Sequence, residues 1–588
     1  MLRTHNCGEL KKAHANQTVT LCGWVDTRRD HGGLLFVDLR DRFGKTQLVF
    51  HPEQKAVHDM AQKLRVEYVV LVRGEVKLRP HGTENSKLPT GEIEIDVQEL
   101  HILSESETPP FEILNDLEVS EEIRLKYRFL DLRRKPVIER LKTRYQISLA
   151  ARHYLDQHQF IEVETPYLTK STPEGARDYL VPARLAPGSF YALPQSPQLF
   201  KQILMVSGVD RYFQLARCFR DEDLRADRQP EHTQIDLEMS FITEEDIFQL
   251  IEGMFSEIFQ KVLRHSIQIP FMRLSFDEAM NRYGSDKPDI RFDMELQELS
   301  AIFSATQFKI FQDNLKSGGV IKGIKTSGKS FSRKDFDDLT EFAKGFGAKG
   351  LVWMKVGPAG QNPIESPVAK FLSPDETRKL IETFHAKDGD TLFLVSDPWE
   401  KACTILGELR KHLAAKIGIE KKSGFYFLWV VDFPLLEWND EEKRWQARHH
   451  PFTSPKEEEL KLLDSDPGKV KARAYDLVLN GTEVGGGSIR IHSDKTQQKM
   501  FEALGISKVE QELRFGFFLR ALRFGAPPHG GIAIGLDRLS ALLLGLDSIR
   551  DVIAFPKTQK GTCLLSDAPS PVSEKQLREL HLNVKLKS

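Results

Sequence analysis

The chain has 588 residues and a mass of 67.2 kDa, enough for several domains at the ~150 residues that one domain commonly takes. Hydrophobic residues make up 40% of it and charged residues 29%, which is typical of globular proteins and excludes general disorder. Its 83 Lys and Arg nearly cancel its 85 Asp and Glu, giving a formal net charge of −2. This balance excludes a globally basic nucleic-acid coat protein, but it leaves open an enzyme that binds nucleic acid through a local face.

Cysteine content and hydropathy bear on the compartment. The five cysteines are scattered and include no C-x-x-C pair, so neither a disulfide framework nor a cysteine-rich zinc site is predicted. The first residues contain no apolar signal-peptide core, and no uninterrupted apolar run approaches ~18 residues. These features predict a soluble, cytoplasmic protein with no membrane partner.

Residues 1–107 are predicted to form a small β-barrel. Glycine-containing and polar turns separate five short strand patterns, at residues 19–25, 34–39, 47–50, 68–74 and 92–97. A helical stretch near residues 52–65 follows the third pattern. This order is that of an OB-type barrel, a common nucleic-acid-binding fold, although a barrel with a purely structural role would give the same pattern.

The rest of the chain is predicted to be an interrupted α+β body. A linker containing paired prolines covers residues 108–135, and a long amphipathic helix over Val137–His158 then leads to a strand over Ile161–Pro166. Turn residues near 283–289 and a new strand over Phe425–Val431 mark the limits of an insertion. We therefore expect the body in two parts, at residues 136–289 and 421–555. Between them lies an inserted α+β domain at residues 290–420, and a C-terminal extension follows at residues 556–588.

One segment suggests a different class of protein. Residues 323–330 match the phosphate-loop pattern G-x-x-x-x-G-K-[ST], so a P-loop nucleotidase with an OB module is an alternative. In a P-loop the Gly-Lys-Ser segment opens the helix, so that its N–H groups face the phosphates. Here Ser332, with Asp335 three residues later, is the stronger helix start. We therefore expect Lys329 on a surface loop before the helix.

A charged loop between two strand patterns is the first candidate site. Alternating apolar residues before and after residues 220–230 predict an antiparallel hairpin. Arg220, at the end of the first strand, can form a bidentate pair with a phosphate. Taken alone, an Arg-Asp-Glu sequence of this kind would more often be a solvated hairpin.

Two further segments carry compatible chemistry. Asp476 and Glu483 flank a strand pattern with three consecutive glycines, which indicate the close approach of another group. Two such carboxylates suit Mg²⁺, which prefers carboxylate together with phosphate oxygens. Residues 530–539 predict a strand that runs through glycine into a helix with Arg538 in its first turn, a second candidate phosphate contact.

Together these segments resemble the three motifs of class II aminoacyl-tRNA synthetases. Phe160–Pro166 is similar to motif 1, the dimer-interface strand, Phe219–Glu222 to motif 2 and Gly535–Arg538 to motif 3. Three longer segments are similar to the bacterial aspartyl-tRNA synthetase family in particular, at residues 172–179, 195–201 and 283–289. The resemblance covers essentially the whole chain, including the insertion.

The resemblance implies a multidomain fold: an N-terminal OB-fold anticodon-binding barrel and an α+β class II catalytic domain, built on a six-stranded antiparallel sheet and interrupted by the inserted α+β domain. It implies a homodimeric ligase that uses ATP and Mg²⁺ to form aspartyl-adenylate from L-aspartate and then transfers the aspartyl group to the 3′-terminal ribose of tRNA-Asp. A non-catalytic tRNA-binding paralogue would lack the cationic residues such as Arg220 and Arg538, which are present here.

The resemblance also implies the site residues. For ATP they are Arg220, Asp221, Glu222, Gln229, Glu483, Gly535, Leu536, Asp537 and Arg538, of which Arg220 and Arg538 are catalytic, with Asp476 and Glu483 towards Mg²⁺. For aspartate they are Glu174, Gln198, Lys201, Arg220, Asp236, His449 and Arg490. Among these, Lys201 and Arg490 match the family's binders of the side-chain carboxylate. Two cations on one carboxylate select aspartate over asparagine, whose neutral amide would leave both cations without a counter-charge. The Lys201 and Arg490 pair and the insertion favour an aspartyl-tRNA synthetase over the related asparaginyl- and lysyl-tRNA synthetases.

His232 departs from the family pattern. Many family members carry Phe at this position, where the ring stacks on adenine. An imidazole can also stack, so we expect ATP affinity to be retained but altered.

In the barrel, the resemblance implies that Phe36 stacks on an anticodon base and that Arg28 and Gln47 contact base edges or phosphate. A place in the barrel core is the alternative for Phe36. His31 and Gly82 are similar to residues of enzymes that charge both tRNA-Asp and tRNA-Asn, whose anticodons differ only in the third base. Because an imidazole has switchable donor and acceptor nitrogens, it can accept either base edge beside a glycine. This predicts a non-discriminating enzyme, with an amidotransferase that converts Asp-tRNA-Asn downstream; strict tRNA-Asp specificity is the alternative.

Overall fold

The computed structural model describes residues 1–172, 175–225, 227–358 and 363–585. The chain divides into two compact units: Met1–Tyr145 with Leu224–Gln229 and Ser540–Val572 form the first, and Gln146–Asp223 with Pro230–Leu539 and Ser573–Ser588 form the second. Within the described ranges, no helix has both the length and the apolar character needed to cross a membrane.

A closed five-stranded barrel forms the N-terminal part of the first unit. Its elements are β1 (Thr18–His31), β2 (Leu34–Arg40), β3 (Lys45–Phe50), α1 (Lys55–Ala61), β4 (Val69–Leu78) and β5 (Ile93–Ser104). The order around the barrel is β1-β2-β3-β5-β4, with only β3 and β5 parallel. Alternate residues such as Leu21, Val37 and Ile95 fill the core, because successive side chains of a strand point to opposite faces. The predicted OB-type order is confirmed.

The segment after the barrel contains the helices α2 (Glu121–Lys126) and α3 (Arg128–Asp131), before α4 (Lys135–Gln157) begins. Glu67, which precedes β4, links this segment to the barrel. The residue is buried, with an exposed fraction of 2%. Glu67 accepts hydrogen bonds from Arg40 at 2.6 and 2.8 Å and from Arg133 at 2.6 Å. Two guanidinium groups thus compensate one buried carboxylate, so the interval predicted as a linker contains ordered helices and a buried ion triad.

The remaining elements follow in chain order. The strands are β6 (Ile161–Glu162), β7 (Leu180–Pro182), β8 (Phe190–Ala192), β9 (Arg211–Phe219), β10 (Glu231–Ser240), β11 (Met272–Ser275), β12 (Gln297–Glu298), β13 (Val320–Thr326), β14 (Val352–Val356), β15 (Ile364–Glu365), β16 (Thr391–Asp397), β17 (Phe427–Val431), β18 (Leu436–Asn439), β19 (Arg444–Ala447), β20 (Ala474–Leu479), β21 (Thr482–Ile489) and β22 (His529–Gly535). The helices are α5 (Gln198–Val206), α6 (Glu244–Ile258), α7 (Phe276–Tyr283), α8 (Lys309–Lys316), α9 (Arg333–Gly345), α10 (Pro374–Phe384), α11 (Trp399–Ile417), α12 (Asp494–Ala503), α13 (Lys508–Leu522), α14 (Leu536–Leu543) and α15 (Glu574–Glu579).

An eight-stranded sheet, in the order β11-β17-β20-β21-β22-β10-β9-β6, is the centre of the second unit. Its six middle strands pair antiparallel, as the resemblance implies. The two outer strands, β11 and β6, add parallel pairs at the edges. Motif 1 is a shorter strand than predicted: it pairs only over Ile161–Glu162, and Pro166 has no N–H with which to extend the ladder.

The glycines of β21 are required by neighbouring groups of the protein itself. A Cβ atom on Gly486 would lie 2.7 Å from Asp476 Oδ1, and one on Gly487 would lie 2.2 Å from the Gly531 carbonyl oxygen. Asn480 and Gly481 join β20 to β21 with φ of 52° and 84°, as a two-residue hairpin requires. The predicted close approach is therefore confirmed, and it places the carboxylates of Asp476 on β20 and Glu483 on β21 beside Gly486.

The insertion has its own antiparallel sheet, in the order β12-β13-β16-β14-β15, packed with α8 to α11. The Ser332 hydroxyl accepts a hydrogen bond from the Asp335 N–H at 3.2 Å and caps α9, as predicted. Lys329 precedes this cap and donates to the Lys416 carbonyl at 2.7 Å. The phosphate-loop interpretation is therefore wrong, because Lys329 does not open a helix.

Candidate active site

Charged side chains that are distant in sequence meet on the middle strands of the eight-stranded sheet. Asp236 and Glu238 lie two residues apart on β10, which places them on one face. Arg490 directly follows β21, and Lys201 projects from α5, which packs on β9 and β10. We call Lys201, Asp236, Glu238 and Arg490 the charge network.

Arg490 is 2% exposed, and each of its five N–H groups has a partner. Nε and Nη2 donate to the Glu238 carboxylate at 2.8 and 3.1 Å, and Nη2 also donates to the Gly531 carbonyl at 3.3 Å. Nη1 donates to Ser488 Oγ at 2.7 Å and to His450 Nε2 at 2.8 Å. Because a guanidinium can only donate, His450 accepts at Nε2, and its pKa is lowered by burial and by Arg490. Arg490 is thus held rigidly in place.

Lys201 completes the charge network. Its Nζ lies 2.9 Å from Asp236 Oδ1 and 3.2 Å from Glu238 Oε2, and the residue is 1% exposed. Burial raises the pKa of Asp236 to about 6, with Lys201 opposing the shift. Burial also disfavours ionised Glu238, yet Arg490 and Lys201 lower the pKa of Glu238 to about 2. Two buried cations therefore face two buried carboxylates, and a bound carboxylate would compete with these groups for the same donors.

Of the other residues implied for aspartate, Gln198 lies on the same helix as Lys201, whereas His449 lies beside Asp476. Gln198 is one helical turn before Lys201, and within the described residues its buried Nε2 has no hydrogen-bond partner. A bound polar group would satisfy that atom, which suits a substrate contact. His449 lies instead beside Asp476, with Nε2 3.8 Å from Oδ1. Glu174 is outside the described residues.

The residues implied for ATP lie at the ends of β9 and β22. Arg220 directly follows β9, and its N–H donates to the Pro230 carbonyl at 2.9 Å, which closes the hairpin. Its buried Nε has no hydrogen-bond partner among the described residues. Arg538 is the third residue of α14, and its Nη1 donates to the Glu483 carbonyl at 2.9 Å. Asp537 accepts from the Thr233 N–H at 2.8 Å, so the start of α14 is fixed to β10.

The remaining ATP residues have less defined surroundings. Asp221 pairs through its backbone with Arg177, and Glu222 follows it on the partly exposed hairpin loop. Gly535 lies opposite Gln234 at the end of β22, and Leu536 is buried behind it. Gln229 belongs to the first unit. There its Oε1 accepts from the Lys557 N–H at 2.8 Å and its Nε2 donates to the Lys557 carbonyl at 3.1 Å.

His232 lies on β10 opposite Cys218 of β9. Burial, with the nearby Arg220 and Arg538, lowers the pKa of His232 to about 3. The imidazole is therefore neutral at physiological pH.

Asp476 and Glu483 fit the role of magnesium ligands. A Cβ on Gly486 would lie 2.7 Å from Asp476 Oδ1 and 3.8 Å from Glu483 Oε1, so the missing side chain leaves room beside both carboxylates. Burial and the adjacent Glu483 raise the pKa of Asp476. Glu483 is half-buried, and although burial disfavours its ionised form, Lys287 at 2.9 Å holds its pKa below the ordinary range. The described residues contain no cluster of three metal-binding side chains, so phosphate oxygens and water would have to complete the coordination.

The outer face of the barrel carries the residues implied for the anticodon. Phe36 is half-buried on this face and outside the core, so the core alternative is wrong; its ring meets that of His31 edge-on at 5.9 Å. Gln47 is 8% exposed and donates to Glu94 at 2.9 Å. The exposed Arg28 donates to the Gln62 carbonyl. Gly82 is exposed with φ at 85°, in the left-handed region that favours glycine.

Three residues of these surroundings were missed at the sequence level. Glu238 could have been found, because it lies two residues after Asp236 in a strand and so shares its face. Glu94 could have been found in the same way, as an acidic residue at an outward position of β5. No local signal identifies His450, because only the folded structure brings it to Arg490.

The fold and the sequence agree with known proteins. Residues 120–559 match the family model described as tRNA synthetases class II (D, K and N), and residues 19–103 match the OB-fold nucleic acid binding domain. Solved structures with the same fold include asparaginyl-tRNA synthetase from Pyrococcus horikoshii complexed with asparaginyl-adenylate, with a TM-score of 0.59, 21% identity, and coverage of 95% of this chain and 99% of that one. A putative aspartyl-tRNA synthetase from Leishmania major Friedlin has a TM-score of 0.58 and 19% identity, with 94% of each chain covered. The barrel and the antiparallel sheet are thus those of a class II aminoacyl-tRNA synthetase.

Curated relatives narrow this class. The aspartate–tRNA(Asp/Asn) ligase of Caldanaerobacter subterraneus subsp. tengcongensis is 56% identical over 586 residues, which cover 99% of this chain and 98% of the relative. The ligase of the same name from Syntrophomonas wolfei is 55% identical over 590 residues and 100% of both chains. The chain belongs to the aspartate–tRNA(Asp/Asn) ligase family.

Proposed function

We propose that this chain activates L-aspartate with ATP and transfers it to both tRNA-Asp and tRNA-Asn. The observation that carries the choice of amino acid is the buried charge network, in which the cations of Lys201 and Arg490 both contact the Glu238 carboxylate. The side-chain carboxylate of aspartate can replace protein partners on these cations without leaving either cation uncompensated. Asparagine cannot, because its amide is neutral, and an uncompensated buried charge is costly.

In the first step, an oxygen of the aspartate α-carboxylate attacks the α-phosphorus of ATP, and the bond from that phosphorus to pyrophosphate breaks. Arg220 and Arg538 would bind the phosphates, where bidentate guanidinium contacts stabilise the developing charge; their positions at the ends of β9 and β22 support this. Neutral His232 would stack on the adenine. In the second step, a hydroxyl of the terminal ribose attacks the aspartyl carbonyl, the bond to AMP breaks, and the hydroxyl proton leaves with the departing phosphate.

Asp476 and Glu483 would hold Mg²⁺ together with the phosphates of ATP. When bound, the ion neutralises phosphate charge and polarises the phosphoryl oxygens. Lys287 and His449 flank the two carboxylates and keep them oriented before ATP arrives.

The barrel would bind the anticodon through Phe36, Gln47 and Arg28 on its outer face. Phe36 offers an aromatic surface for stacking, and Gln47 with Glu94 offers a donor and acceptor pair to a base edge. His31 contacts Phe36 at the rim of this surface, where a ring with two switchable nitrogens can accept either C or U.

Three further proposals concern the assembly and setting of the enzyme. We infer a homodimer through motif 1, because the outermost strand β6 and its surroundings expose the apolar residues Leu149, Ile161 and Leu168.

We infer that an amidotransferase acts on the product downstream, since Asp-tRNA-Asn is a mischarged tRNA. None of the five cysteines, all of which lie within the described residues, forms a disulfide, which fits the reducing cytoplasm.

Aspartate-dependent ATP–pyrophosphate exchange, followed by charging of both tRNA transcripts, tests these steps in turn. We expect exchange with aspartate and not with asparagine, loss of exchange when Mg²⁺ is chelated, and charging of both tRNAs. Exchange without amino-acid dependence would refute the ligase. A preference for tRNA-Asp above about a thousandfold, ~4 kcal/mol, would refute dual charging alone.

A further inference from the structure

Gln195 makes an unusual set of contacts with the segment Gly175–Asp178. Gln195 is buried, with an exposed fraction of 5%. The carboxamide Nε2 donates to the Ala176 carbonyl at 2.8 Å and to Asp178 Oδ1 at 2.5 Å. Its Oε1 accepts from the Ala176 N–H at 3.2 Å. The side chain thus pairs with both polar groups of one residue's backbone, as a neighbouring strand would, and every donor of the carboxamide is used.

The same segment connects the two substrate regions. On one side, Gln195 is followed by Ser196 and Pro197, after which α5 begins at Gln198. On the other side, the Arg177 carbonyl accepts from the Asp221 N–H at 3.1 Å, at the start of the hairpin loop implied for ATP. Residues 176–178 therefore lie between the helix that carries Lys201 and the loop that follows Arg220.

Packing alone does not hold this segment. A cavity of about 240 Å³ is lined by Thr172 and Asp178 of the loop together with Gln195, Leu199 and Phe200. Space adjoins the segment where a packed core would otherwise support it, so its hydrogen bonds fix its position. Asp178 also accepts from Ser171 Oγ at 2.8 Å, so hydrogen bonds from both Gln195 and Ser171 hold its carboxylate.

We propose that Gln195 is a positioning residue for aspartate: it holds residues 176–178 next to the start of α5, the helix that carries the proposed aspartate contacts Gln198 and Lys201. This inference rests on the proposed function and adds a residue outside the implied site. A segment that is already ordered loses less conformational freedom on binding, so its order contributes to affinity rather than to the chemical step.

Gln195→Glu tests this, because a carboxylate has the same shape but cannot donate to Ala176 or Asp178. We expect the KM for aspartate in ATP–pyrophosphate exchange to rise about tenfold or more, while kcat and the KM for ATP stay within about threefold. Asp178→Asn restores a donor opposite the introduced carboxylate and removes a like charge. The double variant should therefore recover at least about threefold of the loss, whereas Asp178→Asn alone should have little effect.

Gln511→Glu is the matched control, since Gln511 is also buried and donates to a backbone carbonyl, at 2.8 Å, but in α13. Its aspartate KM should equal that of the wild type. An unchanged KM in Gln195→Glu, or an increase that Asp178→Asn does not reduce, overturns the proposal. If Gln195→Glu does not fold, Asp178→Ala tests the same contact, and an unchanged aspartate KM overturns it. A wild type without aspartate-dependent exchange would instead refute the proposed function.

Discussion

In the proposed function, the outer face of the barrel and the charge network of the eight-stranded sheet recognise their ligands in two different ways. The barrel face presents exposed or half-buried side chains such as Phe36 and His31, with few contacts to the rest of the protein. In the network, Lys201 and Arg490 are buried and held by carboxylates on the same sheet. A large ligand brings many contacts of its own, so single residues can be loosely held; a small ligand must be recognised by groups that are fixed beforehand. Substitutions in the two regions should therefore differ in both size and kind.

The largest effect is expected in the charge network. Arg490→Met removes the bidentate partner of Glu238, and breaking a buried pair costs ~3–5 kcal/mol of stability. We also expect ATP–pyrophosphate exchange to fall at least about a thousandfold, because the substrate carboxylate loses a cation. Thermal unfolding and exchange assays measure the two losses. The pair Arg490→Met with Glu238→Gln should recover stability without activity; recovery of both would mean that the network is structural only.

On the barrel face, Phe36→Ala should weaken tRNA charging and nothing else. Stacking of a base on an aromatic ring contributes ~1–3 kcal/mol, so kcat/KM for tRNA should fall about 5- to 150-fold. Exchange should be unchanged, since it needs no tRNA. Phe43→Ala in the same barrel removes an exposed ring and serves as the control. Equal charging by both variants would contradict a role for Phe36 and weaken the contrast between the two regions.

A smaller effect is expected at His31. His31→Leu removes the switchable nitrogens but leaves Glu94, whose carboxylate accepts well from the amino group of cytosine and poorly from uracil. The ratio of charging efficiencies should therefore shift towards tRNA-Asp, by about tenfold, ~1.4 kcal/mol. Charging of both transcripts under identical salt measures it. An unchanged ratio would show that His31 does not accommodate the third anticodon base.

The smallest effect is expected at His232. Its pKa of about 3 lies far below the ordinary value of about 6.5, so the ring is neutral from about pH 6 to 8 and gains a proton only in strong acid. His232→Phe should therefore change the KM for ATP measurably but by no more than about threefold, with a profile parallel to that of the wild type over this range. Identical KM values would contradict the expected change in ATP affinity. A histidine-like titration present only in the wild type would show that the imidazole is charged in the site.

Local patterns predicted most of the architecture and part of the site. The barrel order and the helix start at Ser332 follow from alternation and capping, which are local properties of the sequence. Composition would have missed a tRNA-binding barrel, because residues 1–107 hold 15 Lys and Arg against 16 Asp and Glu. The partners of Arg490 could not be predicted, since His450 and Glu238 reach it only when separate strands pair. The ion triad of Glu67 escaped prediction for the same reason.

The complete satisfaction of the Arg490 guanidinium has a consequence for how such enzymes diverge. Because its donors and the neighbouring carboxylates compensate one another, a change to a neutral amino-acid substrate needs at least two simultaneous substitutions. The sequences in between would be unstable and inactive, so selection would remove them. The exposed barrel face imposes no such requirement. Anticodon preference in this family can therefore drift by single steps, while the amino acid stays the same.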